Sequence, residues 1–233
     1  MNGDMEIHCI RMGLFTNCFV VRGDQGTILV DAGFPNRQSH FCRALHRLGI
    51  QPGEIQLIVA THGHADHVGS LQAIKKQTTA TVAIHQADSY LVRQGIVVVP
   101  PAVTAWGGFL SLLFRAFSFL GRFDPVEPEV IIEGELSLEE FGIRGNIIPT
   151  PGHTPGSVSV VLENGEAFVG DLAVNAFPMG MGLGIPAVAE SVRDIYLSWE
   201  KLLSAGATMI YPAHGTPFPA DKLRKKLQQP PDN

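Results

Sequence analysis

The stretch IVATHGHADHVGS, residues 58–70, places three histidines and one aspartate within six positions, directly after an apolar, β-branched run. The apolar run is typical of a buried strand, so the polar residues lie in the loop that follows it. Side chains two apart in an extended chain share a face, and we expect His62 and His64 to point the same way. Asp66 and His67 lie where the chain turns into a helix, and we expect them to point to a second position nearby. This one segment therefore supplies ligands for two metal ions rather than one.

Three later segments repeat the pattern, in which an apolar strand is followed by a Gly/Pro-rich loop that carries a histidine or an aspartate. His153 follows GNIIPTPG, Asp171 follows EAFVG, and His214 follows TMIYPA. A rigid sheet holds the loops at its strand ends, which is why chemistry is often found there. The seven candidate metal ligands are His62, His64, Asp66, His67, His153, Asp171 and His214. A single zinc takes about four ligands, whereas two ions about 3.5–4 Å apart, sharing a carboxylate and a hydroxide, would use the whole set.

The order of strands and helices favours an α+β fold. NCFVVRGDQGTILVDAG is predicted to form two strands joined by a turn, with Asp31 at the exit of the second strand. Residues 36–48 and DHVGSLQAIKKQT are each predicted to be one helix, and a further helix is predicted to begin at Pro186 and end at Gly206. Strands alternate with helices, but hairpins lie among them. Two mixed sheets flanked by helices therefore fit better than one parallel sheet.

Length and charge indicate the broad class of protein. No linker divides the 233 residues, so one domain is expected over residues 1–233. The net charge of −5 offers no broad basic face, so no nucleic-acid partner is expected. The three cysteines lack CxxC spacing, which favours a reducing compartment. The opening MNGDMEIHCI lacks the basic and apolar regions of a signal peptide, and a cytoplasmic location is the expectation.

A long apolar segment occupies residues 96–121. Its first 19 residues carry no charge, which is long enough to raise a membrane span. Pro100-Pro101 and Gly107-Gly108 interrupt the run, so a single spanning helix is not expected.

A polar stripe follows in the same segment, which is predicted to be an apolar helical insertion at about residues 96–122. Beyond Gly108 the predicted helix consists mostly of Phe and Leu. Its polar residues are Ser111, Arg115, Ser118 and Arg122, and their spacing of 4, 3 and 4 positions places them in one stripe along the helix. The pattern favours a helix that is buried or that faces a homodimer partner through residues 109–121. A lid over an apolar substrate, or a surface that contacts lipid, is the alternative.

THGHADH, together with PTPGHTPGS, FVGD and PAHG, resembles the metallo-β-lactamase-fold superfamily of metal-dependent hydrolases. The motifs cover nearly the whole chain in the expected order, and Asp31 in VDAG matches the early aspartate of the family. The resemblance implies a four-layer αββα sandwich with the metals at one edge of the two sheets. It favours a glyoxalase-II-like or lactonase-like member over a true β-lactamase, since superfamily β-lactamases generally lack a bridging aspartate at the position of Asp171.

The same resemblance implies a role for each candidate ligand. His62, His64 and His153 would bind a first metal, and Asp66, His67 and His214 a second. Asp171 would bridge the two ions, and Asp31 would orient a ligand from behind. Histidine and aspartate without thiolate suit zinc, with iron or manganese as alternatives.

Hydrolysis of a small molecule is the expected activity. Water ionises near pKa ~15.7 in bulk but near ~7 on zinc, so a hydroxide held between two ions is available at neutral pH. We expect it to attack a small ester, thioester or lactone, while Asp66 carries a proton toward the leaving group. Residues 172–191 contain no Lys or Arg, so glutathione recognition is not supported. The GMGLG loop at 180–184 is expected to line the substrate entrance.

Three other functions remain open at this point. A phosphodiesterase would use the same ligands, and a mononuclear-iron persulfide dioxygenase keeps HxHxDH but binds one iron. A non-catalytic member would use the fold for lipid or protein contact through residues 109–121. The remaining histidines stand alone in the sequence, so surface or hydrogen-bonding roles are expected for His8, His40, His46 and His85.

Overall fold

The computed structural model describes residues 5–228, and it forms two six-stranded sheets that carry helices on their outer faces. The first sheet contains, in this spatial order, β1 (Glu6–Arg11), β2 (Asn17–Arg22), β3 (Thr27–Val30), β4 (Ile55–Val59), β5 (Thr81–His85) and β6 (Val130–Ile132). The second contains β7 (Leu136–Ser137), β8 (Gly145–Pro149), β9 (Val158–Leu162), β10 (Glu166–Phe168), β11 (Met209–Tyr211) and β12 (Phe218–Pro219). The helices are α1 (Gln38–Leu48), α2 (Ala65–Val68), α3 (Leu71–Thr78), α4 (Gln86–Gln94), α5 (Ala105–Ala116), α6 (Val192–Ser204) and α7 (Asp221–Leu227).

Both sheets are mixed, as the hairpins in the sequence predict. In the first sheet β1, β2 and β3 pair antiparallel, and β3 to β6 pair parallel. In the second sheet only β10 and β11 pair parallel. The sequence analysis did not predict β1, which is an edge strand with few buried side chains and therefore has little apolar patterning of its own.

Three apolar layers hold the four layers of secondary structure together. Side chains alternate along β4, so that Leu57 and Val59 face the second sheet while Ile58 faces the helices. The outer layer of the first sheet packs on α1, α3 and α4, including the fully buried Phe41. The outer layer of the second sheet packs on α6 and α7, including the fully buried Trp199. The four-layer αββα sandwich that the resemblance implied is confirmed.

Two helix boundaries differ from the sequence predictions. The single helix expected over DHVGSLQAIKKQT is broken at Gly69 into α2 and α3. Gly69 lies against Pro35, and the Ser70 amide donates to the Gly33 carbonyl at 3.3 Å instead of to a carbonyl of α2. The helix expected to begin at Pro186 begins at Val192, and the Ser191 hydroxyl accepts from the Asp194 amide at its start.

The apolar segment contains a shorter helix than predicted, and most of its Phe and Leu side chains are exposed rather than buried. Within residues 96–122 only α5 and a 3₁₀ turn at Ser118–Gly121 are helical, and α5 runs through both glycines. A Cβ on Gly107 would overlap the carbonyl of Ala187, so this glycine lets α5 pack directly on the chain at residues 187–189. Ser111 of the predicted polar stripe is buried by this packing. The Phe and Leu side chains beyond it face solvent. Of the helices that the structure describes, none has the length and apolar character needed to cross a membrane.

Candidate metal centre

Three imidazoles, here called the first set, converge from two loops. His62 and His64 follow β4, and His153 follows β8. All three are buried, and their ring centroids lie 4.6, 4.7 and 4.8 Å apart. The Nε2 atom of His153 lies 2.9 Å from the Nδ1 atom of His64. One nitrogen from each ring lies within 4.8 Å of the others, so one cation could contact all three.

A second set lies beside the first. Asp66 and His67 come from α2, and His214 comes from the loop after β11. The Oδ2 atom of Asp66 lies 3.2 Å from Nε2 of His214 and 3.6 Å from Nε2 of His67. The two histidines are buried, whereas the Asp66 side chain is 29% exposed. The cluster therefore opens to solvent at Asp66.

The carboxylate of Asp171 lies between the two sets. Its Oδ1 atom is 3.3 Å from Nε2 of His67 and 3.2 Å from Nε2 of His214, while Oδ2 is 3.5 Å from Nε2 of His153. Gly170 before it has φ +53° and lies against Thr61, a position and conformation that favour glycine. One carboxylate oxygen thus faces each set.

Most of the imidazoles are held by the nitrogen that points away from the cluster. The Nδ1 atom of His67 lies 2.8 Å from Oδ2 of Asp31, and Nδ1 of His62 lies 3.2 Å from the Thr61 hydroxyl. Backbone carbonyls hold two further imidazoles. The carbonyl of Val188 accepts from Nδ1 of His153 at 3.0 Å, and the carbonyl of Phe15 accepts from Nδ1 of His214 at 2.9 Å. These contacts leave the Nε2 atoms aimed inward.

Four inward-facing atoms are buried and form no hydrogen bond of acceptable geometry among the described residues, although one of them, Oδ1 of Asp171, lies 3.2–3.3 Å from two of the others. They are Nε2 of His62, Nε2 of His67, Nε2 of His214 and Oδ1 of Asp171. Buried polar atoms are nearly always paired, because an unpaired one costs about 1–3 kcal/mol. The orphaned atoms come from nitrogen and carboxylate donors, the types that divalent zinc, iron and manganese bind. The residues present therefore fit bound cations.

The charges of the cluster differ between its two sets. Burial and the neighbouring imidazoles lower the pKa of His62 well below its usual value and that of His64 to about 3. Burial opposes the charged forms of His67 and His214 too, but nearby carboxylates outweigh it, raising the pKa of His67 well above its usual range and that of His214 to about 10. Those imidazolium charges hold the pKa of Asp171 well below its usual range despite burial. The carboxylates thus favour positive charge in the second set, and a bound cation would supply it in place of the protons.

Asp31 lies behind the cluster, as the resemblance implied for the early aspartate. Its backbone has φ +62°, and its carboxylate accepts from the Thr61 amide at 2.8 Å and the Thr61 hydroxyl at 2.9 Å as well as from His67. This arrangement ties the loop after β3 to the start of the loop that carries His62 and His64.

Asp88 is a residue of the site that the sequence analysis missed. It lies in the first turn of α4 and is buried, and its Oδ2 accepts from the Gly63 amide and the Thr154 hydroxyl, each at 2.8 Å. Its Oδ1 accepts from the Gly156 amide at 3.0 Å. One carboxylate therefore joins the loop of His62 and His64 to the loop of His153. Asp88 lies three residues beyond the end of β5, so its position near a strand end was a local signal, but its partners in two distant loops were not predictable from it.

The loops of Asp171 and His214 are also held by side chains outside the cluster. Trp199 of α6 donates from Nε1 to the Leu172 carbonyl at 2.9 Å. Asn17 donates to the Gly215 carbonyl at 2.8 Å, and Asn175 donates to the Thr216 carbonyl at the same distance. Such contacts involve ordinary residue types at scattered positions, so no local motif marks them.

The other four histidines lie outside the cluster. His85 accepts from the Ala87 amide at 3.2 Å and caps α4. His8 lies 3.5 Å from a carboxylate oxygen of Glu6 on the edge strand. His40 and His46 lie on α1. Among the described residues, none of these four belongs to a group of side chains close enough to share an ion.

Comparison with known proteins gives both a family and close folds. The chain is 28% identical over 231 residues to the uncharacterized protein YobT of Bacillus subtilis, covering 91% of this chain and 89% of YobT. It is 29% identical over 209 residues to the probable metallo-hydrolase MJ0888 of Methanocaldococcus jannaschii, covering 87% and 89% of the two chains. Its fold is similar to that of TTHA1623 in a di-iron-bound form, with a TM-score of 0.68, 23% identity, and coverage of 94% and 98%.

The model of the metallo-beta-lactamase superfamily matches residues 11–214, a span that includes every member of the His/Asp cluster. That match and the likeness to a probable metallo-hydrolase support a metal-dependent hydrolase in general terms. The protein belongs to the metallo-beta-lactamase superfamily.

Proposed function

We propose that the chain is a dinuclear metal-dependent hydrolase that acts on a small ester, thioester or lactone. The observation that carries the proposal is the position of Asp171, which directs Oδ1 toward two histidines of the second set and Oδ2 toward His153 of the first. A carboxylate so placed can serve two ions at once. The di-iron-bound form of the similar TTHA1623 supports a two-metal centre of the same kind here.

The ligand assignment follows from which atoms face inward. We assign His62, His64 and His153 to one ion, Asp66, His67 and His214 to the other, and Asp171 to both. Zinc is the metal we expect first, and the donor set accepts iron or manganese as well. Ions bound there supply Lewis acidity toward a carbonyl oxygen and lower the pKa of a water molecule to about 7.

The chain's own residues orient the ligands and provide a site for a proton. Asp31 and the carbonyls of Val188 and Phe15 hold the imidazoles so that their Nε2 atoms stay aimed inward. Asp66 is the cluster carboxylate that reaches solvent, and its Oδ2 accepts from the Thr16 hydroxyl at 3.3 Å. We assign to the Asp66 carboxylate, besides its place among the ligands, the transfer of a proton to the leaving group.

The substrate class is inferred from the surroundings of the cluster. The chain after Asp171 carries no charged residue from 172 to 189, and its Phe177 and Met181 side chains are exposed. The GMGLG loop returns to pair with this segment through a bridge between Val174 and Gly184. Directly beside the cluster, this segment offers apolar contacts to an acyl group and no charge to neutralise a phosphodiester, which favours an acyl-bearing substrate.

A substrate panel tests the proposed activity. Chromogenic esters, thioesters, lactones and phosphodiesters are assayed with the purified protein, before and after chelation, with metal content measured on the same sample. We expect acyl substrates to be hydrolysed, activity to be lost on chelation, and activity to return with added metal. Turnover of phosphodiesters alone would contradict the substrate class, and oxygen consumption with a persulfide would instead identify a dioxygenase.

Metal is expected to raise the thermal stability of the protein. Binding to the folded chain alone contributes about 2.7 kcal/mol per ion at a hundredfold excess over Kd, which for a protein of this size raises Tm by about 5–10 °C. Differential scanning fluorimetry of the chelated protein with and without added zinc measures the change. His46→Ala, outside the cluster, serves as the control and should keep the full response, whereas His67→Ala should lose much of it. A Tm that is indifferent to metal contradicts the assignment of the orphaned atoms as ligands.

A further inference from the structure

Large apolar side chains lie exposed on three segments near the solvent-facing side of the cluster. We call this surface the apolar rim, and each of its six members is more than half exposed. They are Leu14, Leu112, Phe119, Leu120, Phe177 and Met181. Scattered exposed apolar residues are ordinary, but several together mark an interaction surface.

Two of the three segments contact the opening at Asp66 directly. Leu14 precedes Phe15, whose carbonyl accepts from His214, and Thr16, whose hydroxyl donates to Asp66. The second segment reaches the opening through Gly121, the residue after Leu120. Gly121 packs against Ala65, the neighbour of Asp66, so closely that a Cβ on Gly121 would lie 3.1 Å from the Cβ of Ala65. The apolar rim is therefore continuous with the opening of the candidate metal centre.

The third segment is joined to α5. The Trp106 ring stacks on Phe177 with centroids 5.2 Å apart, and its Nε1 donates to the Pro178 carbonyl at 2.8 Å. The chain at residues 187–189, on which α5 packs, also holds His153 through the Val188 carbonyl. The rim thus rests on the same backbone that positions the cluster.

The segments that carry the rim have more basic than acidic residues, although the whole chain carries −5. The nearest exposed carboxylate in sequence is Asp124, directly after the helical segment. Residues 89–123 contain no Asp or Glu, and residues 172–189 contain no charged residue. Arg115 and Arg122 are exposed at the rim, and neither forms an ion pair with any residue from 5 to 228. Exposed apolar side chains flanked by unpaired basic ones complement an anionic lipid surface, where apolar burial and charge attraction act together.

A second copy of the chain fits the rim less well. A two-fold contact through the rim would bring Arg115 and Arg122 toward the same residues of the other copy. The segment from 89 to 123 supplies no acidic residue to pair with them, and Asp124 after it is one carboxylate for two arginines.

We propose that the apolar rim docks onto the surface of an anionic phospholipid bilayer and brings the opening at Asp66 against the lipid. The docked chain then takes substrates whose apolar acyl chain resides in the bilayer. This consequence for the substrate rests on the proposed function, whereas docking itself does not.

Vesicle sedimentation without substrate tests the docking. The full chain is mixed with phosphatidylglycerol vesicles or with phosphatidylcholine vesicles, and we expect it to sediment mainly with the anionic ones. Leu112→Ser combined with Leu120→Ser should lower partitioning by about tenfold or more. The matched control is Leu197→Ser, an exposed leucine on α6, which should bind as the unmodified protein does.

A charge-reversal pair tests the electrostatic part. Arg115→Glu combined with Arg122→Glu should lower partitioning to anionic vesicles by about tenfold or more. The control is Arg43→Glu combined with Arg47→Glu, at exposed positions on α1, and it should lower partitioning much less. Binding to neither vesicle, equal binding to both, or a dimer in solution that the Leu112→Ser, Leu120→Ser variant dissociates would overturn the proposal. If the unmodified protein hydrolyses esters with metal but binds neither kind of vesicle, docking alone is overturned. Vesicle binding with no hydrolysis of any acyl substrate overturns the proposed function alone.

Discussion

Asp171→Asn should lower kcat by about 10³-fold on whichever substrate the panel identifies. Asparagine keeps the shape of the side chain but removes the negative charge, and it turns one of the two inward-facing oxygens into an NH₂ group. In the structure those oxygens face His67 and His214 on one side and His153 on the other. An NH₂ group has no lone pair to offer a cation and can occupy the Nε2 atom of a ligand by donating to it, so metal content should fall together with the rate.

The control for this prediction is Asp24→Asn, an exposed carboxylate in the turn between β2 and β3. It should leave kcat and metal content unchanged. Steady-state kinetics and metal analysis on the same preparations measure both quantities. If Asp171→Asn keeps its activity while holding its metals, Asp171 does not serve the two ions, and the two-metal proposal fails even if one ion remains.

Asp88→Ala should weaken metal binding at the first set by about 10–100-fold, as is usual when a residue that holds ligands from behind is removed. Its carboxylate accepts from Gly63, Thr154 and Gly156, and so holds the loop of His62 and His64 against the loop that carries His153. The second set is held by other contacts. Calorimetric zinc titration should therefore show one weakened phase and one unchanged phase.

Asp88→Asn provides a graded test of the same contact. Its amide oxygen can still accept from Gly63 and Thr154, while its NH₂ group cannot accept from Gly156, so binding at the first set should lie between that of the unmodified protein and Asp88→Ala. A role in folding alone would lower the Tm of the metal-free protein and leave both phases of the titration unchanged. That outcome would contradict the positioning role of Asp88.

The fold and the cluster were predictable where the signal is local. The alternation along β4 is written in adjacent residues, so the strand and its two faces follow from periodicity. His62, His64, Asp66 and His67 lie within one motif, and strand ends marked the remaining members of the cluster. The structure brings all seven together, and their service as metal ligands stays a prediction that the metal titrations test.

The predictions that failed depend on contacts between distant segments. The periodicity of residues 109–122 predicted one polar stripe, of which Arg115 and Arg122 are exposed and Ser111 is buried. The burial of Ser111 depends on Gly107, which packs on the carbonyl of Ala187 eighty positions away. The break between α2 and α3 likewise depends on Pro35 and Gly33, which lie more than thirty positions earlier in the chain.

The sequence by itself determined most of the buried strands, their mixed arrangement and the chemical types of the site, because each is expressed in neighbouring residues, whereas the edge strand β1 has no such pattern. Only the tertiary structure decided how the site is held together. The carbonyls of Phe15 and Val188 orient two histidines, and since any residue type supplies a carbonyl, no sequence signal marks them. Asp88 joins the loop of His62 and His64 to the loop of His153, and because these loops are far apart in sequence no local pattern predicts that they meet. Packing sets which loops meet, and packing is a property of the whole chain rather than of any one segment.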